Sequence, residues 1–237
     1  MKAFIFAAGK GTRLKPFTYS HPKALAQVNG KTLLERNIHY LKSFGIKDFI
    51  INIHHFGEQI IDFLTENQNF GVNIQVSDER AELLETGGAL LYALHMFEND
   101  EHLLIINADI LTNLNIMELI DAHIKNDHYA TMAISDRDSS RKLLFDENFQ
   151  LNGWKNLSTG EIILGNKSEN LSEYAFSGIH CIRTEFIKNF THKGKFSIIE
   201  EYLNQMKSKN IHGFLHKAQL IDVGKPENIK VAETFFI

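Results

Sequence analysis

The chain has 237 residues, 43% of them hydrophobic, with 25 Lys+Arg against 29 Asp+Glu and a formal net charge of −4. This balance argues against a disordered chain and lacks the basic excess of a duplex-coating protein, so no nucleic acid partner is expected. A single cysteine cannot form an internal disulfide, and no run reaches the roughly 18 apolar residues of a membrane helix, so a cytoplasmic protein with no membrane partner is expected.

In chain order, residues 3–7 are apolar throughout, as in a strand covered on both faces, and run straight into Gly9 and charged residues, unlike a signal peptide. Residues 32–44 place Leu33, Leu34, Ile38 and Leu41 at helical spacing, with Gly45 as C-cap. A strand is expected at 49–53, a short helix at 58–64, a strand at 72–76, a helix at 87–97, a strand at 103–106, a helix at 116–124 and a strand at 130–134. Such alternation implies a largely parallel sheet with helices on both faces. After Ser135 the texture changes to short strands at 142–145, 150–154 and 161–164, a longer strand at 175–182 and a helix at 197–207. Residues 213–216 and 220–222 resemble a closing hairpin, and Pro226 opens a last helix. With no repeat and no Pro- or Ser-rich linker, the expectation is one domain, with a nucleotide-binding part over about 1–135 and an acceptor-binding part over about 136–237.

The most informative segment is Ala7-Ala8-Gly9-Lys10-Gly11-Thr12-Arg13-Leu14, directly after the first strand. Glycines one residue apart let backbone approach a ligand and turn successive N–H groups towards an anion. Lys10, Arg13 and Lys23 add positive charge, so polyphosphate is the expected ligand. A Walker A loop needs four residues before a Gly-Lys-Ser/Thr, which is missing, and a dinucleotide fingerprint needs a small residue where Leu14 stands. The plain alternative is a strand-to-helix turn, against which three nearby cations weigh. Asp109 follows the apolar strand at 103–106 and so stands at a strand's carboxyl end, where open α/β sheets bind ligands.

The run A-A-G-K-G-T-R-L-K-P-F-T followed by H-P-K-A-L resembles the signature of the sugar-1-phosphate nucleotidyltransferases, and in particular their short single-domain members. Three further pieces agree in order: L-L-E-T-G-G-A-L at 83–90, A-F-S-G-I-H at 175–180 and I-D-V-G-K-P-E-N at 221–228. The resemblance implies an α/β, three-layer αβα Rossmann-like fold with a mixed, mostly parallel central sheet. It also implies an enzyme in which a sugar-1-phosphate oxygen attacks the α-phosphorus of a nucleoside triphosphate and releases pyrophosphate. UTP with an amino sugar 1-phosphate such as N-acetylmuramate 1-phosphate is the first choice. Guanylyl transfer to mannose or heptose 1-phosphate, cytidylyl transfer to phosphocholine and a non-catalytic nucleotide-sugar sensor are the alternatives.

By the same resemblance Asp109 and Asp222 are Mg²⁺ ligands, Arg13 holds the outer phosphates and Lys23 neutralises the α-phosphate, so Arg13, Lys23 and Asp109 form the catalytic set. Ala8, Gly9, Gly11, Thr12 and Gly87 complete the nucleotide site, with Glu82 and Glu85 near enough to help read the base. Glu161, Ser177 and Gly178 are implied at the acceptor. Here the chain departs from the pattern: Trp154-Lys155-Asn156 follows Gly153 where many relatives carry Glu-Lys-Pro after the glycine, and Ala108 replaces a common glycine before Asp109. Trp154 reads as a packing residue, Lys155 as a cation within reach of the acceptor phosphate, and residues 137–141 as a loop able to close over the site. The pair His54-His55 points to opposite faces and is a poor bite for one metal. Cys181 sits in an apolar strand as a filler. The resemblance leaves the oligomeric state at monomer or small homo-oligomer.

Overall fold

The computed structural model describes residues 1–166 and 169–236. Fourteen strands and seven helices are named along them. They run in the order β1 (Lys2–Phe6), β2 (Gln27–Val28), β3 (Lys31–Thr32), α1 (Leu33–Ser43), β4 (Asp48–Ile53), α2 (Gly57–Glu66), β5 (Asn73–Asp78) and α3 (Glu85–Tyr92). Next come β6 (His102–Asn107), β7 (Ile110–Thr112), α4 (Ile116–Lys125), β8 (Ala130–Ser135), β9 (Arg141–Phe145), β10 (Leu151–Asn156) and β11 (Ile162–Leu164). The chain closes with β12 (Ser172–Arg183), α5 (Thr184–Lys188), α6 (Ile198–Gln205), β13 (Ile211–Leu215), β14 (Leu220–Asp222) and α7 (Pro226–Phe235).

One ten-stranded sheet runs through both halves of the chain. β5, β4, β1 and β6 are parallel neighbours in that order. β12 then pairs antiparallel with β6, and also with β8 and β9, while β13 joins β8 in parallel. The unbroken apolar strands are explained by two cores. Ala3, Ile5, Ile51, Leu104 and Ile106 face α1, α2 and α4 through Leu34, Ile38, Ile60, Leu64 and Leu119. Phe4, Ile50, Leu103 and Ile105 face the opposite layer of Leu90, Phe186, Ile187, Ile198 and Tyr202. The result is the three-layer Rossmann-like architecture, with the central side chains of β1, β4 and β6 buried on one face or the other.

The closing hairpin does not form. β13 and β14 part company: β13 pairs with β8, whereas β14 pairs antiparallel with β7, Asp222 lying opposite Ile110. The reason is packing: Val223 and Ala232 of the C-terminal segment join Leu14, Val28, Leu33 and Leu111 in a third apolar cluster beneath the glycine loop. That docking carries Asp222 from the chain's end to the residue beside Asp109, whose carbonyl accepts from the Val223 N–H at 2.8 Å. The helix expected over 87–97 is also shorter, α3 giving way after Tyr92 to a 3₁₀ turn at Leu94–Met96.

Candidate active site

A cleft of about 440 Å³ opens at the carboxyl ends of β1, β4, β5 and β6. Its floor begins where β1 ends. The Ala7 and Ala8 N–H groups both donate to Asn52 Oδ1, at 2.7 and 3.3 Å. Gly9 has open space at its Cβ position, and Gly11 adopts a left-handed conformation with φ 59°. A Cβ on Gly11 would lie 2.8 Å from the side chains of both Lys23 and Thr18, so the loop needs glycine there for its backbone and its closeness alike. The chain then turns through a 3₁₀ segment, Thr12–Leu14, tied by Leu14 N–H to Gly11 O at 2.8 Å. Gly9, Gly11, Thr12, Arg13, Lys23 and Asp109 all line the cleft.

Four charged side chains meet at its mouth. Lys23 forms an ion pair with Asp109, and Arg13 Nη2 stands 4.0 Å from Asp222 Oδ2. Burial, with the Asp109 charge second, holds the Asp222 carboxyl above its usual range, and Lys23, Arg13 and Arg137 oppose that shift. Asp222 Oδ1 is buried without a hydrogen-bond partner among the described residues. No group of three or more His, Cys, Asp or Glu side chains able to hold a metal occurs among the described residues. Asp109 and Asp222 are two carboxylates at that mouth. His54 serves as a tether, its Nδ1–H donating to the Glu79 carbonyl at 2.7 Å.

Two cleft residues escaped the sequence reading. Glu79 is 2% exposed; its Oε1 accepts from Asn52 Nδ2 at 2.8 Å, and its Oε2 has no partner among the described residues. Burial raises its pKa, and the Asn52 hydrogen bond limits the rise. Asn52 thus links the start of the glycine loop to a buried carboxyl that lines the cleft. The signal was available. Asn52 interrupts an apolar strand and Glu79 follows β5, the same strand-end position that singled out Asp109.

Gly87 is placed otherwise than implied. Its N–H, and that of Gly88, donate to the Phe196 carbonyl at 2.9 and 3.2 Å. A Cβ on Gly87 would meet the Phe196 ring at 2.3 Å, and one on Gly88 the Gly194 carbonyl at 2.1 Å. The Thr86-Gly87-Gly88 motif is a clasp: Thr86 Oγ1 also accepts from the Ile198 N–H at 2.9 Å. It presses the segment before α6 onto the cleft edge, where Glu85, Thr86 and Ser197 form the wall. Glu85 pairs with Lys195 at 3.6 Å, while Glu82 is exposed and outside the wall.

On the acceptor side, Ser177 and Gly178 sit where the β8 register of β12 jumps between Phe176 and His180. This bulge abuts the end of β6: a Cβ on Gly178 would be 2.9 Å from both Asn107 Nδ2 and Ile110 Cγ1. Glu161 is exposed in the turn joining β10 to β11, away from this bulge in the pairing, and the structure does not bring it to the cleft wall. Lys155 is tied to Glu173 in an ion pair, and Trp154 packs against the second core. Cys181 is buried, which pushes its thiol well above the usual range. No helix among the described residues is long and apolar enough to cross a membrane.

Residues 2–143 match the family described as Nucleotidyl transferase. The chain is 29% identical to N-acetylmuramate alpha-1-phosphate uridylyltransferase of Neisseria meningitidis serogroup B, over 98% of this chain and 97% of that one. It is 26% identical to D-glycero-alpha-D-manno-heptose 1-phosphate guanylyltransferase of Campylobacter jejuni, over 96% of each. The structure of HddC from Yersinia pseudotuberculosis complexed with GMP-PN superposes with a TM-score of 0.81 at 25% identity, covering 100% of this chain and 99% of that one. A match that spans the strands whose ends build the cleft, in a chain of the same fold and length, places this protein in the Nucleotidyl transferase family, as an enzyme that transfers nucleotidyl groups.

Proposed function

We propose that the protein transfers a nucleotidyl group from a nucleoside triphosphate to a sugar 1-phosphate, with Mg²⁺, giving a nucleoside-diphosphate sugar and pyrophosphate. UTP and an amino sugar 1-phosphate such as N-acetylmuramate 1-phosphate are the preferred pair, a choice supported by the full-length likeness to the Neisseria enzyme. The observation that carries the reading is the meeting of Arg13, Lys23, Asp109 and Asp222 beside a glycine loop at one cleft mouth.

The chemistry asks for little acid–base work. An anionic phosphate oxygen of the acceptor forms a bond to the α-phosphorus, the bond from that phosphorus to the α,β-bridging oxygen breaks, and its electron pair leaves on pyrophosphate. Two anions must be brought together, so cations and positioning carry the catalysis. Lys23 exchanges Asp109 for the α-phosphate as negative charge builds there. Arg13, exposed at the loop's edge, takes the outer phosphates, and the Gly9–Gly11 backbone allows their close approach.

The two aspartates fit Mg²⁺, which takes one or two carboxylates and completes its shell with water and phosphate oxygens. The unpartnered Asp222 Oδ1 is an acceptor in need of such a partner. Bound there, the ion would neutralise phosphate charge at the reacting centre.

A guanine reading has one specific support. The free Glu79 Oε2, when ionised, accepts N–H donors, and the guanine edge offers two of them side by side where uracil offers one between two carbonyls. Pyrophosphate release with UTP, GTP, CTP and dTTP, each against N-acetylmuramate, N-acetylglucosamine, mannose and heptose 1-phosphates, tests both readings. Release with one nucleotide, abolished by EDTA, is expected; release with none of them contradicts the proposal.

A further inference from the structure

The acceptor half holds a cation, Arg137, and a hydrogen-bonded pair, Ser177 and His216, that meet at the β12 bulge. Ser177 is fully buried, and its Oγ lies 2.9 Å from His216 Nε2. The Ala218 N–H donates to Nδ1 of the same ring at 3.2 Å. With Nδ1 accepting, the neutral imidazole carries its proton on Nε2 and donates it to Ser177 Oγ. The Ser177 hydroxyl proton therefore points elsewhere, with Ser135 Oγ a distant receiver at 3.5 Å.

Arg137 crosses the same bulge from the β8–β9 connection. Its Nη2 donates to the Phe176 carbonyl at 2.8 Å, one residue before Ser177, and its own carbonyl accepts from Lys142 Nζ at 2.7 Å. Its Nε is buried without a hydrogen-bond partner, and no carboxylate forms an ion pair with it among the described residues. The guanidinium charge also helps, after burial, to lower the pKa of His216. So a half-buried arginine, with no ion-pairing carboxylate among the described residues, is fixed by a backbone carbonyl of the bulge that carries the Ser177–His216 pair and abuts Asn107 of the cleft lining. Lys155, the other cation expected here, already has Glu173 as its partner.

We propose that Arg137 is the cation that binds the phosphate of the sugar 1-phosphate, and that His216, through Ser177, is a positioning residue that fixes the bulge on which Arg137 rests. The inference rests on the nucleotidyl-transfer reading and names the phosphate-monoester subsite of that same cleft. A guanidinium suits this task because its planar fork pairs with two phosphate oxygens while one N–H stays on the carbonyl.

The test is calorimetric titration of inorganic phosphate into the protein saturated with α,β-imido UTP or GTP, so that the triphosphate site is filled. Wild type should bind phosphate; R137Q, which keeps a donor for the Phe176 carbonyl, should lose about tenfold or more, and R137K should recover part of it. K155M should bind as wild type does. H216A should weaken phosphate binding and H216Q should restore it, because glutamine can donate to Ser177; a merely structural loss would lower the melting temperature without that rescue pattern. Phosphate binding unchanged in R137Q, absent from the nucleotide-saturated wild type, or lost in K155M instead would overturn the assignment. The imido-nucleotide titrations alone report on the nucleotide reading, so its failure is visible separately, and the phosphate stoichiometry of nucleotide-free wild type against nucleotide-free R137Q, one site fewer in the variant, still decides Arg137.

Discussion

The two halves of the sheet hold their chemistry by different means. In the parallel half, each candidate functional group stands at the carboxyl end of a parallel strand: the glycine loop after β1, Asn52 within the last residues of β4, Glu79 after β5 and Asp109 after β6. Strand register fixes their spacing, so the site is as rigid as the core. In the antiparallel half, Ser177 and Gly178 ride on a bulge, and Arg137 and His216 come from connections that meet over it. Such positions depend on a few hydrogen bonds and can change without disturbing the sheet. Under the proposed function, this division would pair a constant nucleotide grip with an acceptor grip that is easily remodelled.

Substitutions can break or sharpen that contrast. Asp109→Ala or Asp222→Ala should have the largest effect, lowering turnover about a thousandfold with any acceptor, as pyrophosphate release would show. Lys23→Ala should cost on the order of a hundredfold in single-turnover rate, with nucleotide binding less affected. Arg13→Ala should raise the nucleotide KM about tenfold and leave the acceptor KM in place, as initial-rate kinetics would show. If Arg13→Ala moved the acceptor KM instead, the division between halves would be wrong.

The clasp that joins the halves can be tested through stability. Gly87→Ala drives a methyl group into the Phe196 ring and should destabilise the fold by about 1–3 kcal/mol in urea denaturation. A further effect concerns pH. His123 hydrogen-bonds His102 at 3.1 Å and Thr131 at 3.0 Å, and His128 bonds the same Thr131 while stacking on His212. Burial lowers the folded pKa of His123 to about 3 and of His128 to about 4. The unfolded chain binds these protons first, so the stability they give is present above about pH 6.5 and falls as pH drops towards 4. Between pH 7 and 5 the loss should be on the order of 2 kcal/mol for each histidine, and His123→Gln should flatten the slope of the denaturation midpoint against pH.

How much of this was legible in the sequence follows the same division. The parallel half announced itself, because strands covered on both faces are apolar without interruption and the helices between them carry apolar stripes. Glu79 and Asn52 went unnoticed only because a polar residue at a strand end looks ordinary until the sheet is assembled around it. In the second half, the pattern of 213–216 and 220–222 fits a hairpin as well as two separate strands. Their true partners, β8 and β7, are more distant in the chain, and alternation carries no record of which neighbour a strand will choose. The β12 bulge, the Phe196 clasp and the pairing of Lys155 with Glu173 are likewise products of tertiary packing.

Under the proposed function, one cleft passes the nucleotidyl group of a nucleoside triphosphate, with its α-phosphorus, to the phosphate of an acceptor. This transfer is tested most directly by supplying UTP or GTP labelled with ³²P at the α-position, together with Mg²⁺ and the sugar 1-phosphates. The account predicts that the label moves into a nucleoside-diphosphate sugar as unlabelled pyrophosphate appears, and that Asp109→Ala abolishes both. Label that stays in the triphosphate with every acceptor, or that appears as free nucleoside monophosphate, would contradict it.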